Sequence, residues 1–494
     1  MGRVMSPENN RRSFLRRSVA LCVAGLVVGI QSSWVLAQRV VQTLGRITSQ
    51  VIRRTDADYE NWRSAMTWYL RKPARYPDTI VLVESLEDII EAVNYARDHS
   101  LKVVTRGSGH ASNQTCLRDG GLLLDLSKMR KVQIDNESQT ADLEPGARAM
   151  DLMAAAEKYN LSFPAVHAGI VGMGGFLLGG GMGWNVPKWG IACRSVIETD
   201  IVMADGSLIT ANEHTNPDLL WAIRGAGPGF FGVVVRFRVK LFPLPKSITT
   251  SNYIFSEEQI PVLAETLERL MPEKDARIEA VVTLKKNEKL SPLPPALVKD
   301  GIHCSVGFLV FSDSLQESRR VLAPFASDPL FKKAVDTVEN QELTYQYLYT
   351  PRDGVSSRRT NVDNMWTDSP KETLLAYVDL IKQVPSPYSR VRIDWGLNVM
   401  ESEVNSSIPN FADHYVILTL IADEDSHVSA NNLWMDKSDR IVRKYAKGHY
   451  INEAEYQRFP DRIPGCFSKS GWQRLHDLRR QYDPQGVFHN FLGY

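Results

Sequence analysis

The sequence predicts an α+β protein in two parts, and three observations carry that reading. Glycines crowd into two short segments of the first half, Thr105-Arg106-Gly107-Ser108-Gly109-His110 and the stretch from Gly169 to Gly183. Glycine costs conformational entropy on folding, so such density calls for backbone that must approach something large and flat. The stretch 78–105 reads as strand, helix, strand, whereas beyond Pro245 the glycines thin out and helical and strand-like patterns alternate, marking a second, α+β part. At 494 residues, 43% apolar and 23% charged, the chain has a globular composition and the length for two or three packed units.

Taken in order, residues 1–37 read as an address label. Arg11, Arg12, Arg16 and Arg17 flank Phe14-Leu15, an apolar run follows from Ser18 to Ile30, and Val35-Leu36-Ala37 offers a cleavage site. That run is shorter than the ~20 residues a bilayer-spanning helix needs. The pattern resembles a bacterial twin-arginine signal. It implies recognition by the export machinery, a periplasmic or secreted protein that travels already folded, and no stable membrane association after cleavage. The segment removes five arginines and one glutamate, leaving a slightly acidic chain that indicates neither nucleic acid nor an anionic membrane as a partner.

Residues 78–84 form a β-branched run expected as a buried strand. Ser85 caps the next helix, with Glu87 and Asp88 at its positive end and Leu86, Ile89, Ile90, Val93 and Ala96 on one face. The strand 101–105 then delivers its carboxyl end into Arg106 to His110, where α/β units favour ligands. Short strands are expected at 122–126, 132–135 and 140–144, a helix at 147–159, a hairpin around Asp205-Gly206, a helix at 217–224 and a strand at 233–241. The second part carries helical patterns at 256–271, 314–325 and 426–447, strands at 277–285, 302–311, 391–400 and 414–422, and a surface loop at 287–300. A helix at 470–481 and the tail from Tyr482 to Asn490 close the chain.

Gly227-Pro228-Gly229-Phe230-Phe231-Gly232 satisfies the GxGxxG spacing of a dinucleotide-binding turn, but a helix precedes it and a β-branched strand follows. The phosphate site of that motif needs the reverse order, so the Rossmann reading is set aside. Cys116, Cys193, Cys304 and Cys466 have no metal-ligand spacing, and no metal is expected; one disulfide or four lone thiols are both compatible with the sequence.

Five motifs in this order carry a resemblance: Arg106-Gly107-Ser108-Gly109-His110; Gly172-Met173-Gly174-Gly175 through Gly179-Gly180-Gly181-Met182-Gly183; Asp200-Ile201-Val202 with the Asp205-Gly206 turn; Trp221-Ala222-Ile223-Arg224-Gly225; and Tyr482-Asp483-Pro484. Together they resemble the vanillyl-alcohol oxidase superfamily, with its PCMH-type FAD-binding fold, and within it the berberine-bridge-enzyme group. The resemblance implies a two-part FAD-binding domain at 38–245, a substrate-binding α+β domain with an antiparallel sheet at 246–451, and a carboxyl-terminal segment at 452–494 returning to the FAD domain. It implies that Arg106, Gly107, Ser108, Gly109 and His110 cradle the pyrophosphate, consistent with successive amides forming an anion nest, and that Ala111 also contacts FAD. It further implies that Val171, Gly172, Gly174, Gly175, Gly179, Gly181, Gly183, Val234, Tyr450, Asn452 and Asn490 contact FAD, and that His110 bonds covalently to the flavin. A second covalent link would need a cysteine where this chain has Ala168, so a single tether is expected.

Such enzymes take a hydride from a carbon bearing oxygen or nitrogen, and a nearby base removes the accompanying proton. The resemblance places Tyr450 facing the flavin and Val171 at a position where a small side chain goes with dioxygen as electron acceptor. Other members pass electrons elsewhere, as dehydrogenases. The family's frequent carboxylate or amide partner falls on Leu418 here, so another base is sought among Asp394, Glu453 and His449. Trp184, Trp189 and Trp395 are candidates for the wall of a small-molecule pocket.

Overall fold

The computed structural model describes residues 50–287, 301–350, 360–399, 404–422 and 425–492. The expected address segment lies outside them, as does nearly all of the 287–300 loop. Among the described residues no helix is long and apolar enough to cross a membrane.

Among the described residues the first half holds a four-stranded sheet, a five-stranded sheet and a short pairing of Leu161–Ser162 with Phe242–Pro243. Strands β1 (Val51–Arg53), β2 (Thr79–Leu82), β3 (Val103–Arg106) and β4 (Leu122–Asp125) form the first in the order β1-β2-β4-β3, with β2, β4 and β3 parallel. The helix Leu86–Asp98 connects β2 to β3. Ser85 Oγ accepts the Asp88 N–H, and the Asp88 carboxylate accepts the Ser85 N–H, so the expected cap is a reciprocal capping box. β2 and β4 are buried throughout, which explains the apolar runs Ile80 to Leu82 and Leu122 to Leu124 within them. The second sheet pairs β5 (Val132–Asp135), β6 (Thr140–Leu143), β7 (Val196–Val202), β8 (Leu208–Asn212) and β9 (Val233–Lys240) in the order β5-β6-β9-β7-β8, all antiparallel.

The second half is one antiparallel seven-stranded sheet. It comprises β10 (Ser247–Ser256), β11 (Ile278–Lys286), β12 (Ile302–Ser312), β13 (Asp336–Leu343), β14 (Thr360–Thr367), β15 (Arg390–Trp395) and β16 (His414–Ile421), ordered β13-β10-β12-β11-β15-β16-β14. Helices Ile260–Leu270, Leu315–Ala326, Pro370–Ile381 and Asp425–Val442 accompany it. β10, β13, β14 and the helix Pro370–Ile381 are absent from the sequence reading. β10 is rich in serine and threonine and hides its alternation, while β13 is largely exposed and has little apolar face to show. The strand expected at 391–400 stops at Trp395.

The tail packs on the first half. Val103 N–H donates to Val487 O at 2.8 Å, His489 N–H donates to Val103 O at 3.0 Å, and a Cβ added to Gly229 would lie 2.1 Å from the Phe491 ring. All four cysteines among the described residues are free and buried.

Candidate active site

A cavity of ≈480 Å³ lies between the glycine-rich half and one face of the seven-stranded sheet, a size that suits a small-molecule site. Its two walls are built by different means.

The first wall is backbone. Arg106 through Ala111 line it, and Arg106 turns its side chain to tie the loop down, donating to Asp125 Oδ1 at 2.8 Å, Ser108 O at 3.0 Å and Met66 O at 3.1 Å. Ser108 Oγ accepts the Gly172 N–H at 2.8 Å, which joins the two glycine segments. Gly109 has φ +68, and a Cβ there would sit 2.0 Å from Met66 O; at Gly174 it would sit 2.6 Å from Pro145 O. A Cβ on Gly175 would meet nothing within 4 Å and would project into the cavity that Gly175 lines. Val171, Gly172 and Val234 also line it, and so does Ala168. The His110 ring tilts against Trp68 with centroids 4.8 Å apart, and burial lowers its pKa to about 4, leaving a neutral imidazole.

Gly179, Gly181 and Gly183 lie behind that wall. A Cβ on Gly179 would collide with the Asn452 side chain at 2.0 Å, and one on Gly183 with Pro164 O at 2.1 Å. The Gly181 N–H donates to Tyr450 Oη at 2.9 Å. Asn490 does not line the cavity; its carbonyl accepts from Arg118 at 2.8 Å. Its neighbour His489 does line it, with Nε2 buried and unpartnered.

The second wall is made of side chains. Val391, Ile393 and Trp395 of β15 join the apolar core, so Arg390, Arg392 and Asp394 fall on the opposite face, and both arginines line the cavity. Asp394 is 5% exposed and bonded to Arg392 at 2.6 Å; burial raises its pKa against the pull of that cation. From β16 the lining residues are Ile417 and Thr419, whereas Leu418 is buried in the core. Strand parity therefore removes Leu418 from the chemistry, because a shift of one residue exchanges the two faces.

Tyr450 and Glu453 close the far end. Tyr450 Oη accepts from Gly181 N, Met182 N and Asn452 Nδ2 at 2.9, 3.4 and 3.0 Å, and burial raises the phenol's pKa. Asn364 brackets the Tyr450 peptide, donating to its carbonyl at 2.9 Å and accepting its N–H at 2.7 Å. Glu453 lines the cavity, accepts from Tyr415 Oη and has its pKa raised by burial. His449 faces away: Nδ1–H donates to Asn364 O at 2.6 Å, and Nε2 accepts from Arg462 at 3.2 Å. The three tryptophans expected at a pocket wall pack elsewhere: Trp395 in the core, Trp189 on Phe242, and Trp184 against His167.

Sequence reasoning missed Trp68 and Tyr69, which line the cavity from the stretch ahead of β2. It also set aside Gly227 to Gly232 along with the Rossmann motif, although Gly227, Pro228, Phe230 and Gly232 line the cavity. Glycine density alone would have kept that stretch in play.

The donor set fits a dinucleotide. Adjacent loop amides offer an anion nest, Gly175 leaves open space where any side chain would intrude, and His489 Nε2 lacks a partner. The protein-family model for an FAD-binding domain matches residues 77–212. Residues 77–212 are an FAD-binding domain.

That FAD-binding domain sits in a chain similar over most of its length to other proteins. An FAD-linked oxidoreductase of Hypoxylon pulicicidum, nodO, is 26% identical over 437 residues, 86% of this chain and 93% of its own. The (R)-6-hydroxynicotine oxidase of Paenarthrobacter nicotinovorans is 33% identical over 225 residues, 46% of this chain and 48% of its own. The solved structure of Physcomitrella patens BBE-like 1 superposes with a TM-score of 0.76 at 18% identity, covering 91% of this chain and 97% of that one. The resemblance to the vanillyl-alcohol oxidase superfamily and its berberine-bridge-enzyme-like members thus extends through both halves of the fold. The chain is an FAD-linked oxidoreductase.

Proposed function

We propose that the protein is an exported FAD-dependent oxidase that takes a hydride from a C–OH or C–N carbon of a small organic substrate and passes the electrons to dioxygen, giving hydrogen peroxide. The observation that carries this reading is the two-walled cavity, in which bare backbone on one side faces polar and titratable side chains on the other. Bound FAD supplies the two-electron acceptor. The neutral His110 imidazole keeps the lone pair that a covalent bond to the flavin requires. Ala168 offers no second tether, and Val171 leaves the adjoining wall uncrowded. Tyr450 and Asp394 are the catalytic candidates carried from the sequence. Tyr450 lines the cavity, with its oxygen already holding three N–H donors, and Asp394 acts by anchoring Arg392.

In this reading residues 38–245 bind FAD, 246–451 receive the substrate and 452–494 return to the FAD domain. Residues 1–37 direct twin-arginine export to the periplasm or beyond. Anaerobic mixing with a panel of aldoses, aromatic alcohols and cyclic amines, followed by air, tests the chemistry. Fast bleaching with fast recovery supports the oxidase, slow recovery points to a dehydrogenase, and no bleaching to a flavin-binding protein with little turnover. Acid precipitation tests the tether: yellow colour in the pellet is expected, and colour only in the supernatant removes the His110 bond.

A further inference from the structure

Glu279 of β11 is 4% exposed, and among the described residues no lysine or arginine bonds to it. Its oxygens take the Asn185 N–H at 2.8 Å and the Nε2 of His167 at 3.2 Å. Burial pushes this carboxyl up, but the bond and charge of His167, with Arg392 beyond, outweigh that and hold it below its ordinary value. A buried carboxylate in this place selects the imidazole tautomer that carries its proton on Nε2, which leaves the Nδ1 lone pair available. Among the described residues no group bonds to that Nδ1, and it is not among the buried unpartnered atoms, so it remains accessible. His167 lines the cavity, one residue before Ala168, and Trp184 holds the ring edge-on at a centroid distance of 4.2 Å.

The other titratable groups at this end are already engaged. Asp394 is locked on Arg392, Glu453 accepts from Tyr415, and the Tyr450 oxygen is filled by N–H donors. Among the described residues His167 alone combines an orienting carboxylate with an unoccupied ring nitrogen on the cavity side. An imidazole held by a carboxylate is the usual construction of a general base that works near neutral pH.

We infer that His167, oriented by Glu279, is the general base that removes the proton from the O–H or N–H on the carbon being oxidised. This rests on the oxidoreductase reading above. As the carbon–hydrogen bond breaks with its electron pair going to FAD, the heteroatom's proton moves to His167 Nδ1 and its electron pair closes the C=O or C=N bond. The substrate is thereby oxidised by two electrons, and the imidazolium that forms is stabilised by Glu279. The charged groups facing the ring are Glu279 on β11, Arg392 and Asp394 on β15, and Glu453 after Tyr450.

The test uses the full FAD-loaded protein and whichever panel member bleaches the wild-type flavin fastest, followed by stopped flow from pH 5 to 10. His167→Ala should slow bleaching at saturating substrate by about 10²–10⁴-fold, the range for loss of a general base, with FAD content unchanged and partial rescue by added imidazole. Glu279→Gln keeps an acceptor for the Asn185 N–H. Because it withdraws an anion from His167, it should move the rising limb of the pH profile to lower pH and shift the His167 ring titration seen by nitrogen NMR in the same direction. Retention of the bleaching rate in His167→Ala, or an unmoved pH limb in Glu279→Gln, overturns the assignment while leaving the oxidoreductase reading intact. Failure of every panel member to bleach the wild-type flavin overturns both.

Discussion

The two walls of the cavity are specified in opposite ways. The glycine wall works by what is missing: at Gly109 and Gly174 a methyl group would strike a main-chain oxygen, and at Gly175 it would enter the cavity. The sheet wall works by what is present, with Arg390, Arg392, Ile417 and Thr419 set on one face by strand parity. A wall of bare backbone tolerates few substitutions, whereas the residues of a side-chain wall can vary one at a time. In the proposed reading, substrate choice and proton chemistry can then diverge on one side while FAD stays in place on the other.

Five substitutions break or sharpen this contrast. The largest effect is expected at Gly109→Ala, where left-handed backbone and a contact of 2.0 Å with Met66 O coincide; a loss exceeding about 4 kcal/mol, outside the ordinary range for point mutants, should appear as failure to recover folded protein. Next comes parity within β16. Leu418→Ala should cost about 2–5 kcal/mol by leaving a core cavity, and Thr419→Ala less than about 0.5 kcal/mol. Urea unfolding measures both, and equal costs would mean that the faces are misassigned.

A smaller effect concerns pH. His110 titrates near 4 when folded, because of burial, and near 6.5 when unfolded. Between those values the unfolded chain holds more protons, so its contribution is complete above pH 6.5 and is lost as pH falls towards 4. In cofactor-free protein, His110→Gln should flatten the slope of unfolding free energy across that window. The smallest stability change belongs to Gly175→Leu, whose Cβ meets no neighbour within 4 Å. Its melting midpoint should hold while the FAD bound per chain falls; normal FAD content would remove Gly175 from the cradle.

Much of the glycine wall was legible in advance, because glycine density and a strand end with a loop after it are local signals. Arg106 to Ala111 and Val171, Gly172, Gly174 and Gly175 do line the cavity, while Gly179, Gly181 and Gly183 carry their glycines for a different reason, the close approach of Asn452, of Ala192 with Phe176, and of Pro164 respectively. The sheet wall was barely legible. Leu418 drew attention in the sequence, yet its neighbours Ile417 and Thr419 face the cavity.

By itself the sequence determined where backbone must stay bare, the capped helix between β2 and β3, and hence the FAD-binding domain, since each depends on residues close together in the chain. Only the tertiary structure decided which side chains meet across the cavity. His167 and Glu279 stand 112 residues apart, and their pairing depends on the register of a seven-stranded sheet against a glycine loop, which no local pattern encodes.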